Sequence, residues 1–269
     1  MHRTRRLPSG YNLNTLGAGS VICVVSFYMK SIIAKTLLGM LCCSQLCMSR
    51  THAQAPGVSA EAILQRMADA YSSLSSYSDS GTVHHCDKSR PDNTSFRIYF
   101  VRPACIRFEM TNNVGSPYFP QDYKVLWSDG TQTSEWWQSI PQIRTNRDTL
   151  TGIKGFTGIS SRAVHNVPSL LQTNFGWQEY LSEISSPTLL GDESVEKIDC
   201  YHVQGEGKAK RRFELWIGKA DYLIRKVRTT HDPDFCEEEV QQNIRLNEQI
   251  SSNMFVFTPM KAGEIHAKN

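Results

Sequence analysis

From Phe96 to Met110 the side chains fall into two interleaved sets with a period of two. Phe96, Ile98 and Phe100 alternate with Arg97, Tyr99 and Val101; across Arg102-Pro103, Ile106, Phe108 and Met110 alternate with Cys105, Arg107 and Glu109. Successive side chains point to opposite faces only in an extended backbone, so this stretch reads as two half-buried strands joined by a short connection. The pattern recurs at Tyr123, Val125 and Trp127, which precede a turn at Ser128-Asp129-Gly130 and a run ending in Trp136-Trp137. It returns at Phe213, Leu215 and Ile217, at Leu223–Thr230, at Val240–Leu246 and at Met254–Thr258. So many short strands predict a mainly β chain with a few helices: a large antiparallel sheet that curls and needs cover on its concave face.

Helical signals are few. Ser59 is placed to cap a helix with Glu61 in its first turn, and Leu64, Met67, Tyr71 and Leu74 follow at spacings of three and four. A second helix is expected from Val167, with Pro168 in its first turn.

The cysteines and charge divide the chain. Residues 1–53 hold six of the 29 basic residues, none of the 26 acidic ones and four of the eight cysteines. From Met29, a basic start leads into the apolar run 36–43 and then to small residues around Ala53 and Ala55, the layout of an export signal. Residues 1–53 are therefore expected to be a signal with an N-terminal extension before Met29, with an anchor helix as the alternative. Residues 54–269 form one domain. Without the signal the formal charge changes from +3 to −3, with 23 basic against 26 acidic residues, which argues against nucleic acid as a partner. Four cysteines remain, Cys86, Cys105, Cys200 and Cys236, an even number that suits two disulfides in any of three pairings.

Catalytic patterns are weak. His84 with Cys86, and Cys200 with His202, would each share a strand face, and the four could surround zinc if their strands were neighbours. The short cysteine spacing usual for such sites is missing, so no metal and no cofactor is expected. The sequence has no nucleophile elbow, no H-E-x-x-H helix and no phosphate-binding loop. The acidic run Asp232–Glu239 reads as a solvated strand edge, and Lys208–Arg212 as a hairpin connection.

Phe100-Val101-Arg102-Pro103, Ile106-Arg107-Phe108-Glu109, Val125–Gly130 with Trp136, and Phe255–Pro259 with Gly263 together resemble the periplasmic lipoprotein carrier (LolA-like) superfamily, as a divergent member. The resemblance implies an incomplete β-barrel with helices over its concave face, around a cavity for acyl chains. It implies a periplasmic, monomeric, non-enzymatic carrier of lipoprotein acyl chains or another lipid, working with lipoprotein-handling proteins of the inner or outer membrane. It assigns ligand handling to Arg102, a turn to Pro103, and cavity-lining positions to Phe100, Phe108, Trp127 and Trp136. An envelope sensor or regulatory protein on the same scaffold is the alternative function; a metal-dependent enzyme is the third.

Overall fold

Serine at position 59 opens the first element as the sequence predicts. Its hydroxyl accepts a hydrogen bond from the Ala62 amide at 3.2 Å, and helix α1 runs over Ala60–Ser73. The helix buries Ile63, Leu64, Met67 and Tyr71, the one-sided stripe that a 3.6-residue period demands. These elements come from a computed structural model, which describes residues 57–86, 94–113, 121–146, 148–160, 162–172, 183–207, 211–232 and 235–259. The export segment expected in residues 1–53 lies outside them, as do Lys208, Ala209 and Lys210 of the basic cluster.

Six strands follow α1: β1 (Ser76–His85), β2 (Thr94–Val101), β3 (Cys105–Asn113), β4 (Gln121–Asp129), β5 (Thr133–Trp137) and β6 (Ile140–Asn146). Helices α2 (Thr149–Thr157) and α3 (Ala163–Leu171) come next. Then β7 (Ser185–Val195), β8 (Ile198–Glu206), β9 (Arg212–Gly218), β10 (Ile224–Asp232) and β11 (Phe235–Leu246) complete an 11-stranded sheet. Its order is β6-β5-β4-β3-β2-β1-β11-β10-β9-β8-β7, with every pairing antiparallel. The first and last strands meet in the middle, and the two edges are β6 and β7, which α2 and α3 connect along the chain. The sheet does not close into a barrel, and its helices gather on one face. This is the mainly β architecture the alternation predicts.

Register explains which residues share the helix-covered face. Phe96, Ile98 and Phe100 on β2 stand opposite Met110, Phe108 and Ile106 on β3, and Phe108 stands opposite Leu126 on β4. On the other side of the sheet centre, Val227 of β10 pairs with Leu215 of β9, which pairs with Val203 of β8. These residues form one buried apolar core with Ile63, Leu64, Met67 and Tyr71 of α1, Ile153 and Phe156 of α2, and Val164, Val167 and Leu170 of α3. Gly81 on β1 is needed for this packing. A Cβ there would lie 2.3 Å from both the Phe96 ring and the Val240 carbonyl oxygen.

Four expectations are corrected. Helix α3 begins at Ala163, so Pro168 lies inside it and not in its first turn. Met254–Thr258 is not a strand; a 3₁₀ helix covers Ser252–Phe255, because this segment lies across β3 and β4 and does not join a sheet edge. The acidic run belongs to β11, a central strand between β1 and β10, so alternation sends Glu237 and Glu239 inward, where both are buried. Finally, among the described residues there is one disulfide, Cys86–Cys236, between the ends of β1 and β11; Cys105 and Cys200 are free, since β3 and β8 lie far apart in the sheet. Helix α2 has no counterpart in the sequence reading. Its cap is Asp148, whose carboxylate accepts from the Thr151 amide at 2.7 Å.

Candidate functional site

The helix-covered face is built from rings in contact. Phe96 stacks on Phe108 with centroids 5.9 Å apart, and Phe156 of α2 meets Phe108 edge-on at 6.0 Å and Trp137 at 6.4 Å. Phe100 and Phe108 are fully buried. Helices and sheet fill the space between them.

Near the sheet centre this face turns polar. Asp79 of β1 and Glu239 and Gln241 of β11 project toward the helices, and Asn166 of α3 reaches down to them. The Asn166 Nδ2 donates to Glu239 Oε2 at 2.5 Å, and the Gln241 Nε2 donates to Glu239 Oε1. The Tyr77 hydroxyl donates to Asp79 Oδ2 at 2.6 Å, and the Tyr71 hydroxyl accepts from the Ile224 amide. Burial pushes the Asp79 carboxyl up to about 7, against the lowering effect of its bonds from Tyr77 and the Ile98 backbone. Burial likewise raises Glu239 to about 8, with the Asp79 charge adding to the effect and the Asn166 and Gln241 amides opposing it. Desolvation disfavours the ionised form, so both carboxyls lean neutral where a surface acid would be charged.

Arg102 stands at the end of β2, where its peptide bond to Pro103 is cis. Its Nε donates to the Leu74 carbonyl at 2.8 Å and its Nη2 to the Tyr71 carbonyl at 3.3 Å. Leu74 is the C-cap of α1 and its own amide also donates to the Tyr71 carbonyl, so the guanidinium ties the helix end to the sheet. Pro103 is exposed in the β2–β3 turn.

Trp127 and Trp136 lie on the opposite face from Phe100 and Phe108. Trp127 stands opposite Arg107 in register, and Trp136 opposite Val125. Phe257 of the C-terminal segment packs against both, at 5.0 Å from Trp127 and 5.6 Å from Trp136. Arg107 lies over the same ring at 5.2 Å and donates to the Met254 carbonyl. The two indoles anchor the C-terminal segment to the outer face. A groove of about 540 Å³ opens beside it, lined by Arg97, Tyr99, Asn243, Arg245 and Glu248 among others.

The two histidine–cysteine pairs do not meet. β1 and β8 are separated by β11, β10 and β9, and Cys86 is spent in the disulfide. His202 lies between Glu193 and Glu214, 3.1 Å from each, and stacks on Trp216. Among the described residues no group of three or more His, Cys, Asp or Glu is arranged to hold a metal ion. Nor is any helix among them long and apolar enough to cross a membrane.

The molecule is thus an open antiparallel sheet with one face roofed by helices. Residues 168–266, from within α3 to beyond the last strand, match a family described as "Predicted periplasmic protein (DUF2092)". No curated protein sequence matches the chain. Among solved structures, LprF from Mycobacterium bovis is similar at 12% identity and a TM-score of 0.46, over 72% of this chain and 97% of that one. The lipoprotein LppX from Mycobacterium tuberculosis is similar at 13% identity and a TM-score of 0.44, over 72% and 97%. A LolA superfamily protein from Nitrosomonas europaea, from the superfamily that the strand motifs resemble, is similar at 11% identity and a TM-score of 0.37, over 75% and 99%.

The sequence reading missed Asp79, Glu239, Gln241 and Asn166. The signal for three of them was present in the alternation: Asp79 shares a face with Tyr77, Gly81 and Val83, and Glu239 and Gln241 share one with Glu237. Nothing local marked Asn166.

Proposed function

We propose that this chain is an exported periplasmic protein that holds the acyl chain of a lipid or lipoprotein between the sheet and the α2–α3 roof, without chemistry, and carries it between membranes. The observation carrying this reading is the arrangement of the helix-covered face. A bed of aromatic and aliphatic side chains, including Phe100 and Phe108, lies under two short helices that follow one edge strand in the chain, precede the other and pack on the sheet by side chains. Such a roof can lift without breaking the sheet. Each acyl methylene transferred from water contributes about 0.8 kcal/mol, so a long chain can replace the packing it displaces.

Two further features support the reading. The Cys86–Cys236 disulfide belongs in an oxidising compartment, in keeping with the description of the matched family. Each edge strand also exposes large apolar side chains, Ile140 and Ile143 on β6 and Leu189 and Leu190 on β7, where a chain leaving water would first be received. In this reading Arg102 and Pro103 set the rim where α1 meets β2, and Trp127 and Trp136 serve from the outer face by holding the C-terminal segment.

The test is native mass spectrometry of the protein isolated from the periplasm, followed by titration of the delipidated protein with a fluorescent fatty-acyl probe. Co-purified lipid and saturable probe uptake at one site per chain are expected. An empty protein that takes up no probe sinks the proposal.

A further inference from the structure

The polar island beneath α3 has a consistent chemical bias. Asp79, Asn166, Glu239 and Gln241 are 5%, 2%, 3% and 2% exposed. Glu239 is satisfied by the two amides, but Asp79 Oδ1, Asn166 Oδ1 and Gln241 Oε1 are buried with no hydrogen-bond partner. All three are oxygens: the two amide ones accept, and the Asp79 one accepts once its carboxyl ionises. Both amides turn their nitrogens to Glu239, which leaves their own oxygens unpaired. Buried polar atoms are nearly always paired, and three orphans of one kind in one cluster need an explanation.

Charges around the cluster do not supply the missing donors. Tyr77 already donates to Asp79 Oδ2. Arg162, at the start of α3, exerts a favourable charge effect on Glu239; its Nη2 is held by Glu183 at 2.7 Å, beside His165 at 3.8 Å from the same carboxylate, and its Nε is itself buried without a partner. Glu237, next inward on β11, faces His85 at 4.0 Å and His231 at 3.6 Å. The surroundings are apolar: Asp79 stands opposite Ile98, and Glu239 opposite Val83 and Val227.

We propose that this cluster seats the head of a cationic amphiphile, a primary ammonium on an alkyl or acyl-bearing chain, whose N–H donors are matched by Asp79 Oδ1, Asn166 Oδ1 and Gln241 Oε1. The inference rests on the acyl-chain reading and adds the class of head group. An ammonium carries three donors and no acceptor, and its charge offsets two carboxyls that burial otherwise keeps protonated. The helix above has weak points suited to admitting such a head. Pro168 lies inside it and removes a backbone donor, and no side chain caps its N-terminus at Arg162. An ionised phosphate or carboxylate head would bring no donor for these oxygens.

The test compares hexadecylamine, hexadecanol and palmitic acid as competitors of a fluorescent apolar probe near neutral pH. Wild-type protein is expected to bind the amine about tenfold more tightly than the acid, with proton release as the carboxyls ionise. Asp79→Asn combined with Glu239→Gln keeps size and removes both ionisable groups; it should abolish that preference. If the pair fails to fold, Asp79→Asn alone is expected to weaken amine binding selectively. Equal binding of amine and acid by wild type, or a preference that survives the substitutions, overturns the head-group assignment and leaves the acyl-chain reading standing. If none of the three amphiphiles competes and the probe itself does not bind, both fall.

Discussion

Asp79 and Glu239 are the residues at which burial and charge conflict most directly. In the unfolded chain both carboxyls ionise near about pH 4, whereas in the folded chain they retain their protons to about 7 and about 8. Between those limits the folded state binds more protons, so stability is complete below the unfolded values and declines as pH rises through the folded ones. Each group steepens the decline by at most about 1.4 kcal/mol per pH unit. The melting temperature of the ligand-free protein should therefore fall between about pH 5 and pH 8.5, and Asp79→Asn with Glu239→Gln should flatten the profile. A wild-type profile that is flat or rises over this range contradicts the burial of the pair. Arg102 poses a different residue-scale question, because it sits on the last carbonyls of α1. Removing a charged, half-exposed donor from two carbonyls should cost about 1–2 kcal/mol. Urea denaturation of Arg102→Leu should show that loss in the midpoint with an unchanged slope; an unchanged midpoint removes the anchoring role.

Among the elements, β1 and β11 bear the most weight, since they join the two halves of the sheet. Their pairing runs from Tyr77 opposite Leu246 to His85 opposite Glu237, and the Cys86–Cys236 disulfide closes the end of it. Cross-linking residues separated by 150 positions restricts the unfolded chain strongly. Replacing both cysteines with serine should lower unfolding free energy by about 2–5 kcal/mol, read by denaturation without reductant. No change would mean that the ladder alone holds the seam. Much at this scale was legible in the sequence. The period-two runs at Phe96–Phe100 and Ile106–Met110 mark real strands, because one face of each is buried and the other is less so; Phe213–Ile217 is also a strand, but buried on both faces. Less legible was β7, which is exposed along nearly its whole length and so lacks an alternation to read. The acidic run misled because charge normally marks solvent, while here register forces Glu237 and Glu239 inward on a central strand. Trp127 and Trp136 show the complementary difficulty: alternation places them together on one face but cannot say which face the helices choose.

At the scale of the whole molecule, the chain begins and ends its sheet at the centre, and the described elements between its outer edges are α2 and α3. The roof therefore lies at the midpoint of the chain, far in sequence from the β1–β11 seam. It is held by side-chain packing and a few polar bonds such as Asn166 to Glu239, not by ladder hydrogen bonds. Opening it exposes the Phe108–Phe156 contact but breaks no strand pairing, so its free energy must be well below that of global unfolding. Hydrogen exchange tests this. Amides of α2 and α3 should exchange through local opening at least about a hundredfold faster than those of β1 and β11, and the gap should narrow when an acyl ligand is bound. If the roof exchanges only at the global rate, with or without ligand, it is part of the permanent core and the sheet has no movable cover.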